Sequence, residues 1–112
     1  IFTTPDAFMV ERGEFTDLHA GRGETSLMLH LHPGLTKMDR AKPDFAPRQG
    51  REFFDYTGVA GVSPHGLWGA PSKASAEEGE RILEEATKRT VEYIQQTFAE
   101  LDRIEAERAR SR

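Results

Sequence analysis

A chain of 112 residues has room for one domain of ordinary size, or part of one, but not for two independent cores. Hydrophobic residues at 37% and charged residues at 30% make it more polar than an average domain, yet still able to form a modest core. Nineteen acidic against fifteen basic side chains leave a formal charge of −4, which repels phosphate backbones and argues against general nucleic-acid binding.

The absence of cysteine excludes disulfide frameworks, thiolate zinc sites and cysteine nucleophiles together, and a cytoplasmic location is the expectation. Apolar stretches such as Leu27-Met28-Leu29 fall far short of a bilayer span, so no membrane association is expected. The sequence begins at Ile1 and runs into Phe2-Thr3-Thr4-Pro5, which reads as a processed or separated piece of a longer protein.

In chain order, Ala7-Phe8-Met9-Val10 is consistent with a short buried strand. A Gly-rich turn follows, Leu18-His19-Ala20-Gly21-Arg22-Gly23-Glu24. Glu24-Thr25-Ser26 suits a helix start and Pro33-Gly34 its end, which predicts a short helix through Leu27–His32. The alternation of Leu27, Leu29 and Leu31 leaves a strand as the alternative there. From Ala41 to Ser72, residues such as Pro43, Pro47, Gly58, Gly61, Pro64, Gly66 and Gly69 predict a long loop without regular structure. Its aromatic side chains, Trp68 among them, are expected to pack onto something.

Ser75-Ala76-Glu77-Glu78 is a capping box, so a helix is predicted from this point. Leu83, Ala86, Thr90, Ile94, Thr97, Leu101 and Ile104 recur at spacings of three and four and predict a buried stripe. Residues 1–101 are read as one unit, and 102–112 as a charged helix end that frays.

Among residues able to carry chemistry, His19 stands out, because an imidazole between Asp17 and Glu24 in a Gly-rich turn can be oriented by a carboxylate and approached closely. His30, His32 and His65 could be written as a three-histidine metal site. On a helix, however, residues two apart point in nearly opposite directions, which argues against it.

The run from Asp17 to Leu29 resembles the His-Ala-Gly-x-x-Glu-Thr-Ser signature of the creatininase (creatinine amidohydrolase) family. Gly66-Leu67-Trp68-Gly69-Ala70-Pro71 and Ala74-Ser75-Ala76-Glu77-Glu78-Gly79 resemble its Gly-x-x-Gly-x-Pro and Ala-Ser-x-Glu-x-Gly segments, in the family's order. The resemblance covers about 13–101, and only the carboxy-terminal part of a family member. It implies an α/β fold, a three-layer α/β/α arrangement with a mainly parallel sheet, of which this chain is the C-terminal part. It also implies a metal-dependent hydrolase that opens C–N bonds in cyclic or linear amides at a dinuclear divalent centre, zinc or manganese.

The family's metal ligands belong to upstream motifs, Glu-x-His-Gly…Asp and Asn-Gly-His-x-x-Asn, which this sequence lacks. No ligand is therefore assigned here, and a complementary N-terminal segment or subunit is expected as partner. A homo-oligomer, up to a hexamer, is implied by the same resemblance.

Carried over by the resemblance, His19 faces the substrate and helps proton transfer to the leaving nitrogen, and Glu24 orients His19 or a backbone turn. Phe15 falls where creatininase places a tryptophan against its substrate, and Thr16 at a substrate-contacting aspartate. Loss of that acid puts creatinine in question as the substrate, although Asp17 could partly replace it. Arg22 stands where many members are acidic, and its planar fork suits a carboxylate such as a peptide terminus. That feature resembles the branch containing the peptidase that matures the mycofactocin precursor. Pairing of Arg22 with Glu24 or Glu14 is the plainer alternative. Trp68 is a candidate substrate wall, with a subunit boundary or the core as alternatives. A non-catalytic structural small subunit is the rival to the enzymatic reading.

Overall fold

The computed structural model describes residues 17–48 and 53–111, so the strand expected at 7–10 and the candidates Phe15 and Thr16 lie outside the described residues. The order of elements is a helix α1 (Arg22–Leu31), two 3-10 turns (Pro33–Leu35 and Met38–Arg40), a helix α2 (Phe54–Val62), a further 3-10 turn (Pro71–Lys73) and a long helix α3 (Ala76–Arg110).

α1 confirms the helix predicted for the leucine run, over its strand alternative, but starts earlier than Glu24–Ser26, at Arg22. The first turn of a helix has free N–H groups, and Gly21 at the N-cap has no side chain to accept them. Asp17 does so instead. Its Oδ1 accepts from the Arg22 N–H and its Oδ2 from the Gly23 N–H, both at 2.7 Å, and this moves the start forward. At the other end the His32 N–H reaches Met28 O at 2.8 Å before Pro33 opens a 3-10 turn.

The segment Ala41–Ser72 is not irregular throughout, as its glycines and prolines suggested. Phe54–Val62 is helical, as two short pieces joined at a kink where Gly58 takes φ 64° and ψ 176°. Glycine permits that conformation without a Cβ clash, so it interrupts the helix rather than preventing it. The helix stops at extended Ser63, in keeping with the bar that Pro64 places on helical torsions before it. The aromatics divide: Trp68 is buried, whereas Tyr56 is 87% exposed.

The mainly parallel sheet of an α/β fold is the expectation that fails. The described residues are dominated by helix and hold no strand or sheet. Extended pairing is limited to two isolated antiparallel bridges, His19 with Trp68 and Phe45 with Gly69. A ladder grows only while both chains stay extended and keep their donors. Here Ala20 turns to φ 51°, Gly66 to φ 74° and Gly69 to φ 155°, and Pro47 has no N–H two residues beyond Phe45, so each pairing ends after one residue.

α3 begins where the capping box places it, with Ser75 Oγ accepting the Glu78 N–H at 3.1 Å. The buried stripe is shorter and rotated. Glu78, Gly79, Ile82 and Ala86 are its buried positions, while Leu83, Ile94 and Leu101 are exposed. At ~1.5 Å per residue α1 is about 15 Å long against about 52 Å for α3, so it covers only the first turns. The helix continues past Leu101 to Arg110, over most of the span expected to fray.

The hydrophobic core among the described residues is small: Leu67, Trp68, Ala70, Ile82 and Ala86. It lies where the 67–71 segment meets α1 and the start of α3, and that junction positions the candidate site.

Candidate active site

Three segments cross at Trp68-Gly69. On one side the His19 N–H donates to Trp68 O at 3.0 Å and the Trp68 N–H to His19 O at 2.9 Å, with Leu18 N–H adding a second donor to Trp68 O at 2.9 Å. On the other, Phe45 and Gly69 exchange N–H to O bonds at 3.0 and 2.9 Å. Asp44 ties the same loop further on, accepting from Ser72 N–H at 3.0 Å and Ser72 Oγ at 2.5 Å. His19 therefore has both backbone groups fixed while its side chain is exposed.

The turn after His19 is held from two directions. Ala20 takes a left-handed φ of 51°, uncommon for a residue with a Cβ, and its N–H donates to Glu24 Oε2. Of the two contacts expected of Glu24, this is the one with the backbone turn. Asp17 sits inside the turn, where Gly21 and Gly69 approach so closely that a Cβ on Gly69 would lie 2.6 Å from Gly21 Cα. Both glycines are required by that close approach. Asp17 is thereby engaged as the cap of α1.

Arg22 leaves the turn along α1, and its Nε meets Glu78 of α3 at 2.5 Å rather than pairing with Glu24. Glu78 is only 5% exposed, and Arg81 stands on its other side at 3.6 Å. Ser26, fully buried in α1, accepts the Ser75 N–H on its Oγ at 3.1 Å. Trp68 is 5% exposed, so what it gives the site is chiefly the backbone that fixes His19.

A solvent-open cleft of about 380 Å³ lies against this turn, lined by His19, Lys37, Arg40, Lys42, His65 and Leu67 among others. That is within the range of small-ligand sites. Lys37, Arg40 and Lys42 were not singled out in the sequence. Their spacing of three and two over the turn Met38–Arg40 is the signal that was available, since a tight turn can gather such side chains on one side. His65 joins His19 here, while His30 and His32, at the end of α1, do not line the cleft. Among the described residues no group of three His, Asp or Glu comes together that could hold a metal ion. The donor set present thus does not fit a dinuclear centre.

The family model for creatinine amidohydrolase, Creatininase, matches residues 2–94. The chain is 40% identical over 85 residues to a protein of Mycobacterium ulcerans (strain Agy99) named mycofactocin precursor peptide peptidase, covering 70% of this chain and 32% of the relative. A protein of the same name from Mycobacterium tuberculosis (strain CDC 1551 / Oshkosh) is 39% identical over 74 residues, covering 60% and 28%. Another, from Mycolicibacterium smegmatis (strain ATCC 700084 / mc(2)155), is 38% identical over 76 residues, covering 62% and 29%. The chain thus spans about a third of the length of the curated relatives it matches. No solved structure matches it. A match that takes in both the histidine turn and the Ala-Ser-x-Glu-x-Gly segment opening α3 places this chain in the creatininase family.

Proposed function

We propose that this chain is the substrate-facing, C-terminal part of a metal-dependent amidohydrolase that cleaves the C–N bond of an amide, with a peptide as the favoured substrate. The observation that carries the reading is His19, which is anchored through both backbone groups yet opens its side chain onto a cleft. Family membership supports hydrolysis of a C–N bond, and the peptidase name of the relatives supports a peptide over a small ring.

In this reading water adds to the amide carbon, and His19 gives a proton to the amide nitrogen as the C–N bond then breaks. The amine leaves neutral and the imidazole is left to take up the next proton. Glu24 and Asp17 keep the turn from moving while this happens, one on the Ala20 N–H and the other on the start of α1. Arg22 and Trp68 support the same junction, and Phe15 and Thr16 are proposed to wall the substrate. The dinuclear centre, zinc or manganese, is proposed to lie on a complementary N-terminal segment, with a homo-oligomer as the working state. When bound, such a pair supplies an activated water. No cluster of three His, Asp or Glu among the described residues could hold it, and this chain's own part is to orient the substrate and deliver the proton.

In the complete enzyme, His19→Ala should lower kcat on a peptide amide by about 10²–10⁴ while leaving metal content unchanged. Equal loss of metal and turnover would overturn the assignment. Unchanged turnover would favour the structural-subunit alternative.

A further inference from the structure

We propose that the cleft beside His19 is a subsite that holds a carboxylate of the substrate through Arg40 and Lys42, with Lys37 adding to the positive charge. This rests on the hydrolase reading for which molecule carries the carboxylate, but not for its binding. Three cationic side chains and two imidazoles line the cleft, and no Asp or Glu does. In a chain with nineteen acidic residues to fifteen basic ones, that is a local reversal of sign.

The nearby carboxylates are accounted for. Glu24 accepts from the Ala20 N–H, Asp44 from Ser72, and Asp39, within the Met38–Arg40 turn, does not line the cleft. Lys37 Nζ donates to Gly34 O at 2.7 Å and so has two further donors, while Arg40 offers a planar fork matched to two carboxylate oxygens. Arg22, the arginine assigned that role from the sequence, has its Nε on Glu78, so the fork falls to Arg40 instead. Leu67 and Met38 give the cleft an apolar part, which suits the side chain next to a carboxylate better than a fully hydrated inorganic anion.

The probe is an N-acetyl dipeptide as the free acid, against the same dipeptide as its C-terminal amide, titrated calorimetrically into the full chain. The acid should bind about tenfold more tightly than the amide. The double variant Arg40→Gln/Lys42→Gln should remove most of that difference and leave amide binding unchanged, whereas Arg40→Lys/Lys42→Arg should retain it. Far-UV circular dichroism on each variant separates lost binding from lost folding. Equal binding of acid and amide, or an unaffected double variant that remains folded, overturns the proposal. So does inorganic phosphate that binds as tightly as the acid and displaces it, since the cleft would then be a general anion site. Acid selectivity with a His19→Ala enzyme of full activity would instead sink the catalytic role given to His19 and leave the subsite standing.

Discussion

Asp17 holds two helix N–H groups with one carboxylate, and among the described residues no other side chain takes its place at the start of α1. Asp17→Ala should therefore cost about 1–2 kcal/mol, read as a lower denaturant midpoint at constant slope, while Asp17→Asn should recover part of it. Gly69→Ala should be far worse, because its φ of 155° disfavours a Cβ and the Gly21 backbone occupies the space. Loss of the cooperative transition is the expected readout. Ala20→Gly should act in the opposite direction, relieving a left-handed alanine and raising stability by up to about 1 kcal/mol. From the sequence alone Asp17 was legible as the flank of the histidine turn and as a candidate substrate contact, but not as a cap. A cap normally sits immediately before its helix, and this one reaches back around Gly21 from four residues upstream.

The pairing of α1 with α3 depends on an absent side chain. A Cβ on Gly79 would lie 2.5 Å from the Ser26 carbonyl carbon and 2.9 Å from His30 Cβ. Alanine is the better helix former by about 1 kcal/mol, so the Gly79→Ala variant should be stabilised if propensity decided. It should instead be destabilised, because two backbones would have to separate. Ser26→Ala should cost about 1–3 kcal/mol by leaving the Ser75 N–H without its acceptor.

Further along α3, hydrogen bonding to Arg89 holds the Glu85 carboxyl below its usual range, and Arg103 does the same for Glu100. Carboxyls lowered in this way add stability above the ordinary carboxylate value and lose it as pH falls through the lowered one. Helicity measured by circular dichroism should accordingly decline on acidification, and less so in high salt, since these pairs are exposed. The start of α3 could be read from Ser75 and Glu78, but its buried face could not. Periodicity lists the apolar positions without saying which have a neighbour, and a ten-residue α1 reaches only as far as Ala86.

At the scale of the molecule the described chain is a small junction with a long helical arm. Val91, Tyr93, Ile94, Phe98 and Leu101 are all exposed on that arm, Phe98 at 63%. Amide hydrogens from about residue 90 onward should exchange much faster than those at 76–89, and uniform protection along α3 in the chain alone would contradict this. The family could be read from ordered motifs and holds, but the sheet inferred with it does not, because sequence similarity carries no information about pairing that Ala20, Gly66 and Gly69 interrupt.

Trp68 is the chain's one tryptophan, and it lies at the crossing that fixes His19 rather than on the arm. Its indole emission is therefore a native fluorophore for the junction, whereas ellipticity at 222 nm is dominated by the 35 residues of α3. Followed together through a melt, the two optical signals would separate the loss of the cleft's scaffold from the unwinding of the arm, with no label attached.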